Sequence, residues 1–254
     1  MPRASLVALA LLTMVAAPNA DAQVGAAVPD TAHTRPIRAV IELFTSQGCS
    51  SCPPADALLR TYADGKDVMA LSLPVDYWDY IGWKDTFASP RNSERQRAYA
   101  KSFGIGTVYT PQVVVNGMAQ ALGSSRAEVD QAITRTAPAF AARRVPVRFW
   151  HQGNMIIIET GAVPEGTESK EATIWIALVQ KTAEVAVKRG ENGGKTLTYA
   201  NIVREMTPVG VWTGKPAMIQ LARTAIMRPE TEDSIVLIQE ADNGPIIGAA
   251  WLGQ

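Results

Sequence analysis

Hydrophobic positions in the first half of the chain change between strand-like and helix-like spacing. Residues 38–45 are mostly apolar and rich in β-branched and aromatic side chains, which predicts a strand. After Cys52, apolar side chains recur at helical spacing until Asp64-Gly65, where the pattern stops. Residues 68–75 form a continuous apolar run, suited to a strand buried on both faces. The order strand, helix, strand predicts a parallel βαβ unit.

The next stretch predicts a further helix and a hairpin. Ser89-Pro90 begins a helical pattern, and residues 108–117 form a strand pattern that ends in Asn116-Gly117, a strong hairpin signal. Residues 118–122 supply the return strand. A parallel unit followed by an antiparallel hairpin predicts an α/β domain over residues 39–143, with a mixed sheet and flanking helices.

Past Arg143-Arg144 the pattern becomes one of alternating polar and apolar positions with frequent turn residues. It predicts an all-β, sandwich-like domain over residues 144–254. The predicted strands cover residues 145–150, 154–160, 172–181, 184–189, 197–205, 209–212, 217–222, 234–240 and 246–252.

The N-terminus predicts export. Arg3 precedes an apolar run from Leu6 to Ala17, and Ala20-Asp21-Ala22 resembles a cleavage signal. We therefore expect a signal peptide over residues 1–22, a polar leader over 23–38, and a periplasmic or secreted mature protein. An uncleaved N-terminal anchor is the alternative, although the run is too short to span a bilayer as a helix. We expect no membrane span in the mature protein.

Charge composition argues against a nucleic-acid partner. The chain has 24 Lys and Arg residues and 24 Asp and Glu residues, so no net field draws it to an anionic polymer.

The candidate chemistry lies in the two cysteines of the chain, Cys49 and Cys52, which are three positions apart. A disulfide between them closes so small a loop that it constrains little of the unfolded chain, which argues against a structural staple. In the predicted topology both lie where the first strand gives way to a helix. The helix N-terminus favours a thiolate, so Cys49 is the candidate nucleophile and Cys52 the resolving thiol.

A resemblance supports this interpretation. The C-x-x-C between a strand and a helix, with Thr110-Pro111 before a later strand, resembles the thioredoxin fold. The segments IELFTSQGCSSCPPAD, VDYWDYIGWKD, VYTPQVVVNG and RGENGGKTLTYANIVREM resemble a family of secreted bacterial proteins with a thioredoxin-like domain of unknown function. The resemblance implies that Cys49 attacks, that Cys52 resolves, and that Thr110 and Pro111 form a cis-proline turn facing the substrate.

The chain departs from well-known thioredoxins in two respects. Ser50 and Ser51 separate the cysteines, so no redox potential can be transferred by analogy. The buried acid of thioredoxins aligns with Leu43, whereas Glu42 is one position away and points to the opposite face of a strand. Glu42 is a possible proton acceptor for Cys52 if the register differs; otherwise it pairs with a basic side chain.

The aromatic stretch 76–85 follows the second predicted strand and lies at the same end of the sheet as the cysteines. Trp78, Tyr80 and Trp83 could form a groove for an extended substrate peptide. The alternative is that these aromatic side chains pack a long loop onto the domain. Residues 190–195 are rich in glycine but lack the spacing of a phosphate-binding loop, and we interpret them as a β-turn.

The leading hypothesis is an exported thiol–disulfide oxidoreductase. Its partners would be exported proteins that contain cysteine and an external redox partner that restores its oxidation state. No cofactor is indicated. A Cu(I)-binding protein that uses both thiolates is an alternative, as is a non-catalytic interaction module with an inert disulfide. A closed zinc site is not predicted, because it needs four ligands and the only histidines are His33 and His151.

Overall fold

A mixed eight-stranded sheet organises the fold in the computed structural model, which describes residues 37–65, 67–168, 170–228 and 230–252. The strands are β1 (Ala39–Thr45), β2 (Val68–Pro74), β3 (Gln112–Val115), β4 (Ala119–Leu122), β5 (Val147–Gln152), β6 (Met155–Thr160), β7 (Ala172–Ala186), β8 (Thr196–Trp212), β9 (Ala217–Ala222), β10 (Asp233–Glu240) and β11 (Ile246–Trp251). The helices are α1 (Pro53–Ala63), α2 (Pro90–Ser102), α3 (Arg126–Ala142) and α4 (Arg223–Ile226), with a 3-10 turn at Asp79–Ile81. The sheet order is β11-β10-β7-β8-β2-β1-β3-β4.

The parallel strands β1 and β2 form the buried centre of this sheet. Every residue of both strands is buried, as the continuous apolar runs predict. Leu59 of α1 and Ile133 of α3 pack on one face together with Leu43. Phe44 and Tyr99 of α2 pack on the other face. This arrangement fixes the end of β1, from which the cysteine loop emerges.

Proline and serine residues set the starts of the helices. Pro53 and Pro54 occupy the first positions of α1, where a missing N–H breaks no helical hydrogen bond. Pro90 begins α2 in the same way. Ser125 caps α3 by accepting a hydrogen bond of 3.3 Å from the backbone N–H of Glu128.

The strands of the second half follow the prediction except that β7 and β8 are long. Each joins two predicted strands into one: β8 continues through a bulge near Pro208, and β7 runs in regular pairing through the predicted break at residues 182–183. The register of this hairpin shifts between Ile174 and Trp175 and again between Leu178 and Val179. Pro208 lies at the first shift, where a residue without N–H is tolerated inside a sheet.

Strands from both predicted segments share the large sheet. Strand β8 pairs with β2 in parallel at Ser72 and Ile202. The boundary predicted near residue 144 falls in the connection between α3 and β5 but does not separate the strands into two sheets. The smaller sheet, β5-β6-β9, packs its Phe149 and Ile158 against Ile174 and Val236 of the large one.

Two N-terminal predictions lie outside this description. The predicted signal peptide, residues 1–22, and most of the predicted leader, residues 23–38, fall in the part of the chain that the structure does not describe. Within the described residues, no helix combines the length and the apolar character needed to cross a membrane.

Candidate functional site: a buried C-x-x-C disulfide

Cys49 and Cys52 form a disulfide in the turn between β1 and α1, with 5.4 Å between their Cα atoms. Cys52 is the N-cap of α1, and its carbonyl oxygen accepts hydrogen bonds from the backbone N–H groups of Ala55 and Asp56 at 2.8 and 3.1 Å. The sulfur pair therefore lies at the positive end of the helix, where a thiolate is stabilised on reduction.

The disulfide is nearly inaccessible to solvent although the two intervening serines are exposed. Cys49 is 1% exposed and Cys52 0%, whereas Ser50 and Ser51 lie at the surface. The hydroxyl of Ser51 lies 3.3 Å from Sγ of Cys49. A reagent that attacks Cys49 thus needs a local rearrangement.

Gln47 ties the cysteine loop to the aromatic stretch. Its backbone N–H donates to Oδ2 of Asp85 at 2.8 Å, and its side-chain oxygen accepts from Nε1 of Trp83 at 2.8 Å. Asp85 also accepts hydrogen bonds from the backbone of Phe87 and Ala88. Burial raises the pKa of Asp85, and these backbone hydrogen bonds oppose the rise. Asp85 therefore fixes the loop that carries Trp83.

Trp78 joins the same loop to the predicted substrate-facing turn. Its Nε1 donates to the hydroxyl of Thr110 at 2.8 Å, and the peptide bond between Thr110 and Pro111 is cis. On the other side, Trp78 lies so close to Gly48 that a Cβ there would sit 3.2 Å from Cβ of Trp78. The structure thus brings Trp78 and Thr110 to the cysteine loop, with Thr110 half-buried and Pro111 buried.

The connection between β7 and β8, residues 187–195, also reaches the cysteine loop; we call it the hairpin tip. The side-chain amide of the buried Asn192 donates to the carbonyl oxygens of Gln47 and Cys49 at 3.0 and 2.8 Å. Glu191 accepts a hydrogen bond from the backbone N–H of Ser50 at 3.1 Å. The 190–195 segment is a turn, as the sequence predicts, and it contacts the site from the β-rich half.

Glu42 is engaged elsewhere in the core. Its carboxylate accepts from Arg95 at 2.6 and 3.1 Å and from the hydroxyl of Tyr99 at 2.5 Å. Burial lowers the pKa of Arg95, but the charge of Glu42 outweighs it and leaves that pKa raised. Arg95 also donates to Gln239 of β10. Glu42 is therefore paired with a basic side chain, which is the alternative that the sequence offered to a proton acceptor for Cys52.

A different buried acid follows Cys52 in α1. Asp56 is 4% exposed and lies one helical turn after Cys52, on the same face of α1. One carboxyl oxygen accepts from the hydroxyl of Thr45 at 2.8 Å, whereas the other is buried without a partner among the described residues, as is the hydroxyl of Tyr199. Burial raises the pKa of Asp56 well above its ordinary value, the Thr45 hydrogen bond lowers it, and Asp85 raises it further.

Sequence reasoning did not single out Asp56, Gln47, Asp85 or Asn192. The sequence does contain a sign of Asp56, because an acid one helical turn after Cys52 interrupts the apolar pattern on the buried side of α1. Asn192 gave none beyond its place in a glycine-rich segment, because nothing local relates it to residues more than 140 positions earlier.

Metal ligands do not cluster in the described residues, where no three side chains of the His, Cys, Asp and Glu types come together. Binding of Cu(I) by both thiolates needs the reduced form of the pair. The structure shows the disulfide form.

Fold and site together define a mixed α/β protein that carries a C-x-x-C disulfide at a helix N-terminus. The chain belongs to the family described as "Protein of unknown function (DUF1223)", whose sequence pattern matches residues 40–239. It is similar to the X-ray crystal structure of a structural-genomics target from Agrobacterium tumefaciens, with 33% identity and a TM-score of 0.75 over 87% of this chain and 96% of that chain.

A second solved structure, HBP35 of Porphyromonas gingivalis, shares 14% identity and a TM-score of 0.54, over 84% of this chain and 74% of that one. At this identity the likeness concerns the fold alone. No curated protein matches the chain.

Proposed function

We propose that the chain is an exported thiol–disulfide oxidoreductase with a thioredoxin-like active-site region, in which Cys49 exchanges disulfides with a partner and Cys52 resolves the intermediate. The observation that carries the proposal is the Cys49–Cys52 disulfide at the N-terminus of α1. A disulfide that closes so short a loop adds little stability, so its placement at a site that favours thiolates is better explained by exchange chemistry.

The exchange proceeds through a mixed disulfide between Cys49 and the partner. A partner thiolate attacks Sγ of Cys49, the bond between Cys49 and Cys52 breaks, and Cys52 leaves as a thiolate that takes up a proton. A second partner thiolate then attacks the partner's sulfur in the mixed disulfide and releases Cys49. The partner loses two electrons, which stay on the two thiols until an external redox partner accepts them. In the reverse sequence the Cys49 thiolate attacks a partner disulfide and breaks its S–S bond; the Cys52 thiolate then attacks Sγ of Cys49, resolves the mixed disulfide and releases the reduced partner.

Asp56 is the candidate proton donor for the departing Cys52 thiolate. Side chains on a helix lean toward its N-terminus, so the carboxyl of Asp56 lies over the turn that contains Cys52. Burial favours the protonated acid while the disulfide is intact. In the reverse direction the resulting carboxylate takes the proton back from Cys52.

The proposed partners are exported proteins with accessible cysteines, and the proposed location is the periplasm or the exterior. These proposals rest on the signal-peptide pattern of residues 1–22 and on the redox chemistry. The Thr110–Pro111 turn, held by Trp78, is the proposed docking position for the partner's backbone.

A second candidate function is an interaction module with an inert disulfide. The near-complete burial of Cys49 and Cys52 favours it. The two candidates differ in whether the disulfide exchanges while the protein stays folded.

Trapping of the mixed disulfide tests the proposal. Replacement Cys52→Ser removes the resolving thiol, so the variant should accumulate partners linked to Cys49 in cells that export it. The Cys49→Ser variant is the control and should capture none. Equal, background-level capture by both variants would contradict the proposal and favour the inert module.

A further inference from the structure

The hairpin tip, residues 187–195, packs on the loop that carries Cys49. In the described part of the chain, three hydrogen bonds join the two: two from the Asn192 side chain and one to Glu191. The bonds involve Gln47, Cys49 and Ser50, which include and flank the proposed nucleophile. The hairpin tip and the cysteine loop, which are distant in sequence, thus meet at Cys49, the proposed nucleophile.

The Asn192 side chain is buried and fully hydrogen-bonded, unlike its exposed neighbours in the tip. It is 0% exposed, its amide nitrogen uses both N–H groups on the two carbonyl oxygens, and its Oδ1 accepts from Nζ of Lys195 at 2.9 Å. Every polar atom of this side chain is therefore satisfied by the closed arrangement. Among the described residues the carbonyl oxygen of Gln47 accepts from Asn192 alone, whereas that of Cys49 also accepts from the backbone N–H of Cys52 at 3.2 Å.

The rest of the tip, residues 188–195, is exposed and rich in glycine. Gly190 and Gly194 adopt φ values of +75° and +83°, which glycine reaches without strain. Every tip residue from 188 to 195 except Asn192 is exposed. A short segment that is buried only at Asn192 and at Val187, where it joins β7, can open locally without unfolding the sheet beneath it.

We propose that the hairpin tip is a displaceable cover over the disulfide, held closed by Asn192 and Glu191, and that a partner must lift it before exchange at Cys49. The proposal rests on the proposed function. It gives the β-rich half a role, which is to control access to the cysteines.

The closed contacts also define the chemistry of the partner. A partner that displaces Asn192 removes the donor from the carbonyl oxygen of Gln47 and one of the two donors from that of Cys49, so it has to bring N–H groups of its own. An extended peptide backbone presents such donors at regular spacing. The cover therefore favours partners with an unfolded or flexible segment around the reacting cysteine.

Reduction kinetics test the cover. The full mature chain is mixed with increasing dithiothreitol, and the remaining disulfide is quantified by thiol trapping. We expect Asn192→Ala to be reduced about tenfold faster than the wild type at equal reductant concentration, because the closed state loses its two buried hydrogen bonds. Lys188→Ala, which alters an exposed tip residue outside these contacts, should match the wild type.

Two further variants separate a cover from general destabilisation. Glu191→Ala changes an exposed residue, so it should fold normally and accelerate reduction by about threefold through loss of one hydrogen bond. Glu42→Gln weakens the core away from the tip and should leave the rate within twofold of the wild type.

The outcomes distinguish the cover from the function. Equal reduction rates for the wild type, Asn192→Ala and Glu191→Ala would contradict the proposed cover but not the proposed oxidoreductase function. Reduction of the variants but not of the wild type supports the cover in its strongest form. If no folded variant is reduced at any reductant concentration, the disulfide is inert, and both proposals are overturned.

Discussion

Asn192 donates a hydrogen bond of 2.8 Å to the carbonyl oxygen of Cys49, 143 residues earlier in the sequence. A second bond from the same amide reaches Gln47. The two cysteines come from the first predicted segment of the chain and their anchor from the second. The site therefore needs both segments, which share one sheet through the pairing of β2 with β8.

The Asn192→Asp variant should have a free energy of unfolding lower by about 2–4 kcal/mol, because a carboxylate then faces two carbonyl oxygens and the one of Gln47 has lost its donor. Denaturant unfolding with the disulfide intact measures the change. Lys188→Ala serves as the matched tip control and should stay within about 0.5 kcal/mol of the wild type. A stable Asn192→Asp protein would show that the tip is not anchored by this amide.

Breaking the buried ion pair between Arg95 and Glu42 should strongly destabilise the protein. Both side chains are buried, so Glu42→Gln leaves an uncompensated guanidinium and should cost about 3–5 kcal/mol in denaturant unfolding. The redox midpoint of the disulfide should not change. A large change in the pH dependence of that midpoint would instead support Glu42 as the proton acceptor of Cys52.

Asp56 should make stability fall as pH rises. Its pKa is raised in the folded state, so between the unfolded and folded pKa values the native protein binds more protons than the unfolded chain. The free energy of unfolding then decreases with pH by up to roughly 1.4 kcal/mol per unit from this group. Below the unfolded pKa its full contribution is present.

Asp56→Asn removes this dependence. Unfolding free energies of wild type and variant, measured from pH 4 to 9, should diverge in favour of the variant as pH increases. Parallel curves would mean that Asp56 is not held in its protonated form.

Trp78 and Tyr80 together test whether the aromatic stretch binds substrate or only packs the loop. Trp78→Phe loses the hydrogen bond to Thr110 and should cost about 1 kcal/mol of stability. Tyr80 is 82% exposed, so Tyr80→Ala should leave stability unchanged. If the stretch forms a groove, both changes should reduce capture of partners in the Cys52→Ser background. Undiminished capture would leave packing as the function of these residues.

The sequence predicted elements well where local pattern decides the structure. Continuous apolar runs predicted β1 and β2, prolines marked the starts of α1 and α2, and Asn116-Gly117 marked the hairpin. The continuity of β8 was missed because the bulge near Pro208 resembles a loop signal in sequence, whereas β7 continues in regular pairing through residues 182–183. A bulge becomes visible only once the partner strand is known.

The candidate site was predictable in its cysteines and less so in its surroundings. The C-x-x-C spacing and the helix start placed Cys49 and Cys52 correctly in the turn before α1. The contacts of Asn192 and the partner of Glu42 depend on strand order across the sheet, which no local pattern encodes. The resemblance to thioredoxins predicts a buried acid on the first strand, where Glu42 lies, whereas Asp56 lies on α1.

Redox equilibrium of the cysteine pair tests the central claim most directly. The mature protein is equilibrated in graded glutathione buffers, the thiols are trapped, and the reduced fraction is read by mass spectrometry. A working pair predicts a reversible two-electron transition with a midpoint above about −300 mV, the range of exchangeable rather than structural disulfides. A disulfide that stays oxidised in the folded protein at every poise would contradict the account.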